Sequence, residues 1–210
     1  MTTPLKYDAI NINTVLVKQY TAELINNESR LPGDLAMWFF ILAELTVFAI
    51  LFIGFAIAEQ QNSEIFSLGK KELHQTSGLI NTLALITSSY FVAIALHAMH
   101  LGQGKKAARL LVIAKLVACI YIGVKVWEYF SLFELGIGIE TNTFFTLYFM
   151  ITFFHLMHVL LGMVILGFIT VRAAKNGYNA KNISGFESGA SYWHMVDMLW
   201  IILFPLIYVI

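Results

Sequence analysis

The chain has 210 residues with 13 basic and 13 acidic side chains, so its formal charge is zero and nothing in it suits a polyanionic partner such as nucleic acid. It is 59% hydrophobic and only 12% charged, with a mean hydropathy of +0.74. A water-soluble domain carries about 25% charged residues, and a soluble chain of this balance would lack the polar surface to cover its core. The one cysteine, Cys119, excludes an internal disulfide framework and a Cys-based metal site, and its apolar neighbours predict a small buried hydrophobe.

Residues 1–33 read as a polar tail with Lys6, Asp8, Lys18, Glu23, Glu28 and Arg30. It lacks the long apolar stretch of a cleavable signal peptide. Its scattered Ile12, Val15, Leu16 and Leu24 are compatible with a short surface helix. A helix needs about 20 mostly apolar residues to cross the hydrocarbon core. Five stretches meet that length: Asp34–Ala58, Thr76–Leu101, Ala107–Phe133, Thr143–Val171 and Ser188–Val209. The breaks between them carry turn and charge signals: Glu59–His74, Gly102–Lys106, Glu134–Asn142 and Arg172–Gly185. The runs are continuous, not alternating, which predicts an all-α polytopic bundle and excludes a β-barrel. Residues 34–210 are therefore expected to form one five-span domain.

Lys and Arg placement orients the spans. Lys6, Lys18 and Arg30, then Lys105, Lys106 and Arg109, then Arg172, Lys175 and Lys181 fall on one side of a five-span chain, against Lys70 and Lys71 on the other. The N-terminus is thus expected inside and the C-terminus outside.

Ionisable groups within spans are costly to insert and so mark functional candidates. Here they are Glu44, His97, His100, Lys115, Lys125, Glu128, His155, His158, His194 and Asp197, with Glu187 at an edge. Glu187, His194 and Asp197 share one face of the fifth span. Counted at a rise of 1.5 Å per residue, Glu44 lies roughly 15 Å from the inner end of its span, Asp197 roughly 14 Å and His158 roughly 20 Å. These depths allow Glu44, His158, His194 and Asp197 to form one polar cluster in the inner half of the membrane, while the titratable groups as a whole are spread in depth. His97 and His100 fall at the inner interface. Lys115 and Lys125 are each expected to snorkel or to pair, and Lys125 and Glu128, near the outer end of the third span, are spaced to neutralise one another. The pairs His97/His100 and His155/His158 could in principle ligate a metal or haem. They lie at different levels, and no carboxylates follow them at regular spacing. Hydrogen bonds across helices are the simpler expectation, with no catalytic residue and no metal site. The four tryptophans, Trp38, Trp127, Trp193 and Trp200, read as interface anchors or packing residues. Pro205 is expected to kink the last helix or mark its exit.

The motifs resemble subunit III of the haem-copper oxidases. The strongest is Gly185-Phe-Glu-Ser-Gly-Ala-Ser-Tyr-Trp-His-Met-Val-Asp-Met-Leu-Trp200, similar to that family's GFE-x-GA-x-YWH-x-VD-x-x-W. Phe154-His155-Leu-Met-His158-Val with Gly162 is similar to its FHxxHVxxG, and Trp38 to Glu44 with Phe48 to its WxFIxSExxxF helix, with Ala43 in place of the usual Ser. Asn81-Thr82, the His97/His100 pair and Glu128-Tyr129 are weaker matches. The resemblance runs from about Leu31 to the C-terminus. Seven-span members have two further helices at the front; five-span members occur among bacterial quinol oxidases and the E-type proteins associated with nitric oxide reductase. The segment Pro32–Trp38 and the ending Leu203–Tyr208 look most like the E-type group.

What the resemblance implies is a multi-pass protein of the bacterial inner membrane with no cofactor of its own. It would pack beside a catalytic, haem-containing subunit I-type protein, carry phospholipid, and support stability and proton uptake. On that analogy Glu44 lies near the proton-uptake side, while His158, His194 and Asp197 lock the first, fourth and fifth spans. A histidine-ligated membrane metalloenzyme and a proton or small-solute transporter are the alternatives; the paired broken helices of an inverted repeat are not seen in the sequence.

Overall fold

The computed structural model describes residues 35–175, 177–178 and 183–209. The tail 1–33, Asp34 and Lys181 lie outside the described residues. The described chain is helical: α1 (Leu35–Gln61), α2 (Ser63–Glu72), α3 (Gln75–His100), α4 (Gly104–Glu134), α5 (Thr143–Ala174) and α6 (Ser184–Tyr208). All but α2 are long and apolar enough to cross a membrane, which makes this a multi-pass membrane protein with five spans among the described residues.

Local chemistry sets the helix ends. Gly102 and Gly136 take left-handed φ values of 71° and 75°, which a residue without Cβ tolerates. Beyond them, Gln103 N bonds Ala98 O at 3.0 Å and Ile137 N bonds Leu132 O at 3.0 Å, closing α3 and α4 with six-residue caps. Asn142 caps α5 by accepting from Phe145 N at 2.9 Å.

Buried residues on α4 follow a heptad: Ala107, Leu111, Ala114, Ala118, Tyr121, Lys125, Glu128 and Leu132. The seam on α3 has the same period through Ser77, Asn81, Ala84, Ser88, Val92, Ala95 and Met99. Small residues at the crossings let the two backbones approach, and Ser88 Oγ donates to Ala114 O at 2.9 Å. The outer faces are the reverse of a soluble protein's, with Leu116, Phe130, Val164 and Phe168 more than 60% exposed. Cys119 is among these exposed residues. That corrects the expectation of a buried thiol: in a membrane an apolar neighbourhood marks a lipid-facing surface as readily as a core.

The stretch 59–74, expected as a plain connection, contains α2. Its Phe66 packs edge-on against Phe55 (5.1 Å) and Phe144 (5.3 Å), and Lys70 pairs with Glu59 to pin it to the end of α1. Pro205 lies inside the last turns of α6, which runs on to Tyr208.

Candidate functional site

The polar groups that the spans carry fall into separate sets. The most enclosed set is built on the α4 seam. Lys125 and Glu128 are 0% and 1% exposed and pair at 3.0 Å. Lys125 Nζ also donates to Tyr148 Oη at 3.0 Å and Tyr208 Oη at 2.8 Å, which uses its three protons. Tyr208 Oη donates to Glu128 at 2.9 Å. The ammonium lies 4.7 Å from the Tyr148 ring centre and 5.6 Å from that of Trp200. The charges are thus paired and hydrogen-bonded inside an aromatic box drawn from α4, α5 and α6. Neither group snorkels.

A second set joins α1 to α5. His158 Nε2 lies 2.9 Å from Glu44 Oε2, and its Nδ1 lies 2.8 Å from Phe154 O. A carbonyl oxygen only accepts, so Nδ1 carries a proton. The Nε2–Glu44 bond then holds one further proton, on the imidazole or on the carboxyl, and both placements satisfy the geometry. Phe48 sets its ring edge-on to His158 at 5.2 Å, and Tyr192 of α6 donates to His158 O at 3.3 Å. The Glu44 side chain is 20% exposed, on the least enclosed of the five spans. Chemically this is an acid–base pair joined by one hydrogen bond, with one open side.

A third set lies between α3 and α6. Ser89 Oγ is 2.6 Å from His194 Nδ1, and the same hydroxyl interacts with Asp197. At the helix end nearby, His100 Nε2 lies 3.6 Å from Glu187 Oε1. The face of α6 bearing Glu187, His194 and Asp197 therefore looks at α3. The single cluster of Glu44, His158, His194 and Asp197 that their depths allowed is divided: Glu44 and His158 bond each other, whereas His194 and Asp197 share Ser89. Depth arithmetic carries no information on direction around the helix axes. It also missed Ser89, which locks His194 and Asp197 to α3 and not to the first span. His97 is exposed at the end of α3, and Lys115 is half-buried without joining these sets.

His155 is 0% exposed and bonds none of the carboxylates. Its ring is flanked by Phe48, Tyr121 and Trp200. Among the described residues no three His, Cys, Asp or Glu side chains converge as a metal would require. Reading by residue type also missed Tyr148 and Tyr208. The signal for Tyr148 was its place on the His155/Thr152 face of α5; nothing local marked Tyr208.

The family model described as cytochrome c oxidase subunit III matches residues 30–210. Similar proteins include cytochrome c oxidase subunit 3 of Thermostichus vulcanus, 29% identical over 84% of this chain and 86% of that protein. The probable quinol oxidase subunit 3 of Staphylococcus saprophyticus is 27% identical over 85% of this chain and 89% of its own length. Cytochrome bo(3) ubiquinol oxidase subunit 3 of Buchnera aphidicola is 25% identical over 93% and 94%. The match takes in all five spans and the helices that carry Glu44, His158, His194 and Asp197, and on it the chain belongs to the cytochrome c oxidase subunit III family.

Proposed function

We propose that this chain is the accessory subunit of a bacterial haem-copper oxidase, without a redox centre of its own, and that it stabilises the catalytic subunit and supports its proton uptake. The observation that carries this reading is the Glu44–His158 pair: a hydrogen-bonded carboxyl–imidazole couple on spanning helices, left partly open on the least enclosed of them. Lipid cannot solvate such a couple, so a protein surface covering α1 completes it. The similar proteins named as oxidase subunits make a haem-containing catalytic subunit the natural cover. Phospholipid would fill the remaining apolar surface. The crowding of Lys105, Lys106, Arg109, Arg172 and Lys175 at one end supports that end as the inner one, with the C-terminus outside.

The test is isolation of the chain from its own membrane in mild detergent. It is expected to remain with a larger haem-containing polypeptide, and on separation the haem is expected to leave with that partner. Iron or copper held one-to-one by the separated chain would overturn the proposal in favour of the metalloenzyme. Solute or proton flux by the chain alone in liposomes would overturn it in favour of the transporter. The partner's haem content also separates an oxidase from a nitric oxide reductase of the E-type group.

A further inference from the structure

Five buried polar atoms in the bundle have no hydrogen-bond partner among the described residues: Asn81 Nδ2 and Oδ1, Tyr121 Oη, and His155 Nδ1 and Nε2. All three residues are 0% exposed. Buried polar groups are paired in native proteins, with protein or with ordered water, because an orphan in an apolar medium is expensive. Two other orphans, Trp193 Nε1 and Asp197 Oδ1, sit on α6.

The three residues belong to one level. α3 and α4 run antiparallel, with Ser88 Oγ bonded to Ala114 O. One heptad, or two helical turns, along each seam from that bond are Asn81 on α3 and Tyr121 on α4, seven residues away in each case. Across to α5, the Tyr121 and His155 rings meet edge-on with centres 5.8 Å apart. Trp200 of α6 packs on both, at 5.0 Å and 5.2 Å, and its own Nε1–H is committed to Thr82 Oγ1 at 3.0 Å. Thr82 follows Asn81 in α3, so Trp200 meets α3 at the level of Asn81 as well as touching Tyr121 and His155. An amide, a phenol and an imidazole, each with unpaired donors and acceptors, are thus buried at one level of the α3–α6 core.

We propose that Asn81, Tyr121 and His155 form a binding site for buried water, one or more molecules that bridge α3, α4 and α5. Their donor and acceptor inventory suits water and little else: a neutral imidazole supplies one of each, the amide both, and the phenol both. The site also lies between the two ion-pair sets. His155 is one turn from His158 on α5, and Tyr121 is one turn from Lys125 on α4. Bridging water makes one polar network out of what the protein atoms alone leave as two.

Two measurements on the full chain, in its complex or in detergent, test this. Radiolytic hydroxyl labelling reports water trapped beside buried side chains. Tyr121 and Tyr148 are equally buried, but Tyr148 is bonded by Lys125, so Tyr121 is expected to be labelled at least several-fold faster. Equal slow labelling of the two overturns the proposal. The second is the sign of Tyr121→Phe. If the hydroxyl holds water, its loss strands that water's other partners and populates the unfolded form about tenfold more. If the hydroxyl is a dry orphan, its removal makes the protein more stable, and that result overturns the proposal. Asn81→Leu carries the same opposed signs at a second position, so failure of one variant to accumulate does not remove the test.

Discussion

Lys125 and Glu128 show how a charge survives at the centre of a membrane bundle. Each has a full set of partners, and removing one leaves the other buried and uncompensated. Lys125→Met is therefore expected to destabilise the chain by about 3 kcal/mol, whereas the double variant Lys125→Met/Glu128→Leu is expected to recover most of that loss. Denaturant unfolding of the full chain in micelles measures both. A single variant as stable as the double would show that the pair is solvated from a side the packing does not reveal. The Tyr208 hydroxyl belongs to the same unit from 83 residues away, and so ties the end of α6 into the α4–α5 interface.

Between helices, glycine placement decides what fits. A Cβ on Gly162 would lie 2.8 Å from Cε3 of Trp193, a ring only 1% exposed and therefore without room to yield. A Cβ on Gly167, in the same helix, would meet nothing within 4 Å. Gly162→Ala is expected to cost about 2 kcal/mol by overpacking the α5–α6 contact, and Gly167→Ala to be neutral or better. Equal effects in thermal unfolding would mean that helix propensity, not the Trp193 contact, governs the position. The same scale shows what the sequence could disclose. The five spans were legible to within four residues at each end, because length and apolarity are all a lipid core demands. The ten-residue α2 was not, since its few apolar residues gain meaning only against Phe55 and Phe144. The burial of Lys125 was not foreseen, although it falls on the Ala107–Leu132 heptad that the packing brings inside. The i, i+3 spacing to Glu128 announced the pair but not its depth. What stayed hidden was direction around each helix axis, which tertiary packing sets. That is why His194 and Asp197 turn to Ser89 while Glu44 turns to His158.

At the scale of the whole molecule, the helices are unequally enclosed, and the asymmetry bears on function. α6 is enclosed for most of its length, while α1 buries only Ile41, Phe48 and Phe55, one residue every second turn. The bundle proper is thus α3–α6, and α1 lies against it along a narrow seam that includes the polar tie of Glu44 to His158. A partner covering α1 would close over that tie and so sense its proton. In the assembled complex, Glu44→Gln keeps the shape and one hydrogen bond to His158 but removes the exchangeable proton. It is expected to leave assembly intact and to slow turnover, or shorten the working lifetime, by a few-fold, most strongly at high pH where protons are scarce. Oxygen consumption and lifetime followed from pH 6 to 9 measure this, with haem content as the check on assembly. Turnover and lifetime equal to the parent's across that range would leave Glu44 a packing residue only. A loss of haem-containing partner with no change in the turnover of what remains would make the pair an assembly contact and not a proton carrier.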